Sequence, residues 1–255
     1  MTKKQKVIAL IAFVLIIVLI ALICVSLQNK RDSGTADDTR TSAAPSESLE
    51  PTPEPTPTPL QFTTAPEGYF NDALFIGDSR MVGIQMMETI DGATFFTTVG
   101  LSLTGAMSTS ADVSGVGTTT LPALLQSRQF GKVYVMLGIN ELGWYNLDKF
   151  IEYYGNIVDL LRETHPEAQI YIISILPVGA KATASQEMLN NDRVQMFNER
   201  IQGMCSEKQV YFVNGFEALA VNGSLPDDAS PDGVHMQPSY CHKLTDYLLT
   251  HTVSA

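Results

Sequence analysis

Hydrophobic positions beyond residue 70 gather into short runs. Between these runs, apolar residues recur every three or four positions. The runs are 73–77, 94–99, 132–138, 169–176 and 209–214. Val133-Tyr134-Val135-Met136-Leu137 and Ile170-Tyr171-Ile172-Ile173 show no polar alternation. Strands of this kind are buried on both faces, as in a parallel sheet with helices on each side. In one intervening stretch Leu147, Phe150, Ile151, Tyr154, Ile157, Val158 and Leu161 form a single apolar stripe at helical spacing. The spacing predicts a helix over 147–164, capped by Asn146 and stopped at His165-Pro166. Further helices are expected over 121–129, 186–206 and 238–250, the last with Pro238 in a tolerated first-turn position. Another opens close behind Ser79. Strand–helix alternation gives a three-layer α/β/α domain over residues 67–255, built on a mostly parallel five-stranded sheet.

The first quarter of the chain reads differently. Residues 7–27 are almost purely apolar, and about 20 such residues match the hydrocarbon thickness of a bilayer. Lys3, Lys4 and Lys6 precede the run; Lys30 and Arg31 follow it, but Asp32 comes directly after, with Asp37 and Asp38 close. The bias places residues 1–6 in the cytoplasm and exports the rest. A cleaved signal peptide is the competing reading. The run is longer than a usual signal core and no small-x-small site follows it closely, so an uncleaved transmembrane signal anchor is expected. Residues 28–66 are a Pro/Thr/Ser-rich stretch ending in alternate prolines from Pro51 to Pro59. Such a sequence favours extended polyproline geometry over packed structure and is expected to form a disordered stalk. The implied location is the cell membrane, single-pass, with the domain extracellular and facing a cell wall.

Charge narrows the partners. The net charge is −11 and no basic cluster is present, which argues against nucleic acid. Cys205 and Cys241 lack zinc-ligand spacing, so no metal site and no cofactor are indicated. The two form either one disulfide or two buried thiols.

In an open α/β sheet, working residues sit in loops beyond the carboxyl ends of the strands. The first run ends in Gly77-Asp78-Ser79, a serine at a strand-to-helix junction. After the second run comes Val99-Gly100-Leu101-Ser102, and after the third Gly138-Ile139-Asn140-Glu141. Asp232-Gly233-Val234-His235 precedes the last helix. Acyl transfer to serine needs a base, a group that fixes the base's tautomer, and donors for the oxyanion. His235 supplies the imidazole. Asp232, three residues earlier, can fold back onto Nδ1 and leave Nε2 for Ser79. The backbone N–H groups of Ser79 and Gly100 and the side-chain amide of Asn140 supply the oxyanion hole.

Together these blocks resemble the SGNH, or GDSL-type, hydrolase family: Gly77-Asp78-Ser79, Gly100, Gly138-Ile139-Asn140 and Asp232-Gly233-Val234-His235 stand in the family's order. The resemblance implies a flavodoxin-like sheet and ester hydrolysis or acyl transfer on carbohydrates or lipids. It makes Ser79 the nucleophile, His235 the base and Asp232 its partner, with Gly100 and Asn140 completing the oxyanion hole. Two positions depart from the family. Arg80 replaces the leucine often found after the serine, and Glu141 the aspartate often found after the asparagine. Arg80 either holds an anionic substrate or pairs with Asp78 or Glu141. Glu141 is expected to support the Asn140 loop. Trp144 and Tyr145 either stack on a sugar ring or pack at the rim. Met86 and Met87 read as core filler, and His165 as a helix-end residue meeting free carbonyls.

The function expected is a serine esterase that removes small acyl groups, O-acetyl above all, from an extracellular cell-surface glycan. An O-acetyltransferase using the same triad and a non-catalytic glycan-binding module are the alternatives.

Overall fold

The computed structural model describes residues 62–87 and 89–253 of the 255-residue chain. The predicted span at 7–27 and the stalk up to residue 61 lie outside the described residues. Among the described residues no helix is long and apolar enough to cross a membrane.

Five strands form one parallel sheet: β1 (Ala73–Gly77), β2 (Thr94–Thr97), β5 (Lys132–Met136), β6 (Gln169–Ile173) and β7 (Tyr211–Val213). Their spatial order is β2-β1-β5-β6-β7. The order reverses between β1 and β5, and in a doubly wound sheet this is where the crevice opens. The remaining strands, β3 (Ser110–Val113) and β4 (Gly117–Thr120), form a separate antiparallel hairpin. The helices are α1 (Ser79–Met86), α2 (Leu121–Ser127), α3 (Leu147–Thr164), α4 (Ala180–Ser185), α5 (Asn191–Glu207), α6 (Gly215–Leu219) and α7 (Pro238–Thr250).

Alternate residues of each central strand face opposite sides of the sheet, so the continuous apolar runs fill two cores. Leu74, Ile76, Val133, Val135, Ile170 and Ile172 meet the inward faces of α2, α3 and α5. Phe75, Tyr134, Met136, Tyr171 and Ile173 meet α1 and α7. On that second face one ring from each of the five sheet strands lines up in register, the first four stacked and the last tilted. The centroids of Phe95, Phe75, Tyr134, Tyr171 and Tyr211 are spaced 5.3, 4.7, 4.5 and 5.1 Å apart. Cross-strand aromatic pairs of this kind help fix strand register.

Several expectations are corrected. β2, β5 and β6 stop two or three residues before the expected ends, and after β5 and β6 the chain turns into loops that are themselves buried. The helix expected over 186–206 is α5, which starts five residues later at Asn191, and the short α4 (Ala180–Ser185) before it was not expected. Asn190 accepts the Arg193 N–H at 2.9 Å and starts α5. The hairpin β3–β4 had no counterpart in the sequence reading. Cys205 lies in the first core and Cys241 in the second, so the sheet separates them and both are free thiols. Met86 and Met87 are exposed rather than core. The domain also begins before residue 67. Thr63 bridges Thr252, and Ala65 donates to the Leu249 carbonyl at 2.6 Å.

Candidate active site

Each strand of the sheet delivers its loop to the same end. Beyond β1, Asp78 caps α1 by accepting the Arg80 N–H at 2.9 Å. Ser79 therefore occupies the first turn of α1, where backbone N–H groups have no intrahelical acceptor. Gly77 is held to hydrogen by packing, since a Cβ there would stand 2.4 Å from that of Met81. Beyond β2, the Leu101 N–H closes a turn on the Thr98 carbonyl at 3.2 Å. Gly100 takes the left-handed position of this turn, with φ +75° and open space beside it. Asn140 sits beyond β5 in a single tight turn, Ile139–Glu141. Its Nδ2 donates to the Leu101 carbonyl at 2.9 Å, which joins the two loops. A side-chain amide has a second N–H to offer.

The loop before α7 comes back over this end. Ser79 Oγ and His235 Nε2 are 3.0 Å apart, and His235 Nδ1 lies 2.6 Å from Asp232 Oδ2. The other carboxylate oxygen, Oδ1, accepts the N–H groups of Val234 and His235 at 2.8 Å each and the Ser230 hydroxyl at 3.0 Å. Burial tends to raise the Asp232 pKa. The hydrogen bonds from the His235 ring and backbone, Val234 and Ser230 outweigh that and hold the carboxyl well below the usual carboxylate range. Ser230 is a contributor that sequence reasoning missed, although a serine two residues before an aspartate is a common turn partner.

Asp78 and Glu141 are buried beneath the site. Burial lifts the Asp78 pKa to about 6, against the opposing pull of the Arg80 N–H and guanidinium. Glu141 Oε1 accepts the Leu103 N–H at 2.8 Å, while Oε2 meets no donor among the described residues. Glu141 thus ties the Gly100 and Asn140 loops together. Burial raises its pKa from 4.5 to about 7, opposed by the Leu103 N–H and reinforced by the charge of Asp78. A carboxyl raised on folding favours the protonated native state. That stabilisation is complete below the unfolded value and is lost as pH rises through about 7. Glu141→Gln keeps the acceptor for Leu103 and removes the charge. It is expected to stabilise the protein by on the order of 2 kcal/mol near pH 8 and by nothing near pH 4, as read from thermal midpoints. Equal effects at the two pH values would contradict the assignment.

Two of the sequence-predicted substrate contacts lie elsewhere. Arg80 is only 3% exposed and donates through Nη1 and Nη2 to the Leu176 and Pro177 carbonyls, at 2.8 and 3.1 Å. It faces the interior and hydrogen-bonds backbone, rather than a substrate, Asp78 or Glu141. Trp144 packs half-buried against the first core, edge-on to Tyr153 at 5.9 Å. Tyr145, its neighbour, is the exposed ring. His165 does meet a carbonyl, that of Arg128, at 3.0 Å.

A nucleophile-type serine at a sheet switch point, in line with an imidazole and a carboxylate, describes a class of acyl-transferring enzyme. Residues 75–239 match the GDSL-like Lipase/Acylhydrolase family, and the chain belongs to that family. It is an ester-hydrolysing enzyme. No curated protein matches the chain at a significant level. Among solved structures, it is similar to a Streptococcus pneumonia protein provisionally called a platelet activating factor, with 22% identity and a TM-score of 0.56 over 69% of this chain and 81% of that one. A GDSL-like lipase from Bacteroides thetaiotaomicron aligns at 17% identity and TM-score 0.53, over 70% and 86% of the two chains. A carbohydrate acetylesterase from Sinorhizobium meliloti aligns at 15% identity and TM-score 0.50, over 69% and 95%. At these identities the likeness is one of fold.

Proposed function

We propose that Ser79, His235 and Asp232 act as nucleophile, base and orienting carboxylate, and that the enzyme removes small acyl groups, acetyl first, from an ester-bearing glycan outside the cell. The observation that carries this reading is the unbroken line of polar contacts Ser79 Oγ, His235 Nε2, His235 Nδ1 and Asp232 Oδ2, at 3.0 and 2.6 Å. Ser79 Oγ attacks the ester carbonyl as its proton passes to His235 Nε2. The oxyanion accepts hydrogen bonds from the N–H groups of Ser79 and Gly100 and from Asn140. His235 returns the proton to the departing alcohol. A water molecule then gives its proton to His235 and attacks the acyl-serine. The acid leaves and Ser79 recovers its hydrogen.

The substrate class rests on the openness of the site. The His235 and Asp232 side chains are each 51% exposed, which suits an ester presented on a bulky polymer better than an acyl chain threaded into a tunnel. The fold likeness to a carbohydrate acetylesterase is in keeping with this reading. Residues 7–27 serve as a membrane anchor and the proline-rich segment as a spacer, which brings a surface glycan within range.

The test uses p-nitrophenyl esters of graded length together with an O-acetylated glycan. The acetate ester is expected to give the highest kcat/KM, with acetate released from the glycan. A preference for octanoate, with no acetate release, would overturn the small-acyl assignment.

A further inference from the structure

We infer that Arg80 is a positioning residue that sets the place of His235 relative to Ser79, acting through the loop 174–179. This rests on the proposed roles of Ser79 and His235. The loop follows β6 and is buried along its length up to Gly179, yet beyond Ser174, whose N–H reaches Val213, side chains satisfy most of its backbone. Asn198 bonds both the N–H and the carbonyl of Ile175, at 2.8 and 2.9 Å. Asn191 does the same for Val178, at 2.9 and 2.8 Å. The carbonyls between them, on Leu176 and Pro177, are the pair that Arg80 takes. Buried backbone groups need partners, and a planar guanidinium offers two donors side by side where leucine offers none.

The loop then reaches the base. The Gly179 N–H donates to the Gly233 carbonyl at 2.8 Å, between Asp232 and His235. The contact is close. Gly233 has φ +84°, and a Cβ on it would stand 2.5 Å from the Ala182 nitrogen. A Cβ on Gly179 would stand 3.2 Å from the Gly233 Cα. The His235 loop is therefore seated on 179–182 by backbone against backbone, and 174–179 is fixed in turn by the residue next to the nucleophile. One continuous path joins the two ends of the reacting pair. The guanidinium makes no carboxylate hydrogen bond among the described residues; the nearby charges of Asp78 and Asp232 act on it at longer range.

A small displacement of a catalytic group carries a large rate penalty. Arg80→Leu is therefore expected to lower kcat about 100-fold with KM unchanged. Arg80→Lys, which keeps one donor and the charge, is expected to fall between that variant and wild type. Both are assayed on p-nitrophenyl acetate beside Ser79→Ala, with thermal midpoints and the rate of fluorophosphonate labelling at Ser79. A folded Arg80→Leu with wild-type kcat overturns the inference and leaves Arg80 a purely structural residue. If Arg80→Leu does not fold, Arg80→Lys decides: reduced kcat and slower labelling at an unchanged midpoint support the role, and wild-type rates overturn it. Activity retained by Ser79→Ala would instead remove the reading on which the inference stands.

Discussion

Exchange of Ser79 for alanine is expected to abolish ester hydrolysis, lowering kcat by about ten-thousandfold or more while the protein stays folded. The substitution removes one atom. The Asp78 cap acts on the Arg80 N–H, which alanine at position 79 leaves in place, and alanine is a good helix former. The thermal midpoint should therefore hardly move. What disappears is the oxygen 3.0 Å from His235 Nε2. Any residual rate reflects oxyanion donors acting on attack by water. Steady-state rates on p-nitrophenyl acetate and loss of fluorophosphonate labelling check the result. Ester hydrolysis within tenfold of wild type in the alanine variant would exclude Ser79 as the nucleophile.

The second large effect is expected at Asp232. An asparagine there keeps the shape of the side chain, but both ends of the carboxylate face donors. Oδ1 accepts two backbone N–H groups and the Ser230 hydroxyl, and Oδ2 faces His235 Nδ1. An amide has one acceptor oxygen. The two fixed N–H groups hold that oxygen in the Oδ1 place, so the amide NH₂ points at Nδ1. The imidazole can then meet it only as an acceptor, and its proton moves to Nε2, the atom that receives the proton of Ser79 in the proposed mechanism. Asp232→Asn is expected to lower kcat about a thousandfold to ten-thousandfold with little change in KM. Because the native carboxyl is held below the usual range, wild-type Asp232 stays ionised into acid solution, and the difference between variant and wild type should persist down to mildly acidic pH. A loss smaller than tenfold would mean that Asp232 does not fix the ring.

The sequence made some of this architecture plain and hid the rest. Strands buried on both faces must be apolar throughout, which made β5 and β6 visible, and α3 carried its own stripe, cap and stop. The hairpin β3–β4 turns only Ala111 and Val113 inward, too few positions to set a period. The late start of α5 depends on a cap at Asn190, a polar signal lost among neighbouring polar residues. At the site, the motif residues were readable because their chemistry is local: a serine at a junction, an aspartate three residues before a histidine. The destination of Arg80 was not. Its partners lie 96 and 97 residues further along the chain, and only the folded path of the loop after β6 brings them to it. Trp144 shows the reverse case, where an aromatic residue beside a candidate loop suggested a sugar contact although packing against the core takes it.

The pairing of Thr63 with Thr252 and of Ala65 with Leu249 also sets a direction. Residues 63–69 lie beside Asp72, Gly131, Lys132, Gln169 and Tyr211, where the strands begin, while Ser79 stands where β1 ends. The described chain therefore enters the domain at the back, with the crevice at the front. The chain's point of entry thus leaves the crevice end of the sheet clear for substrate.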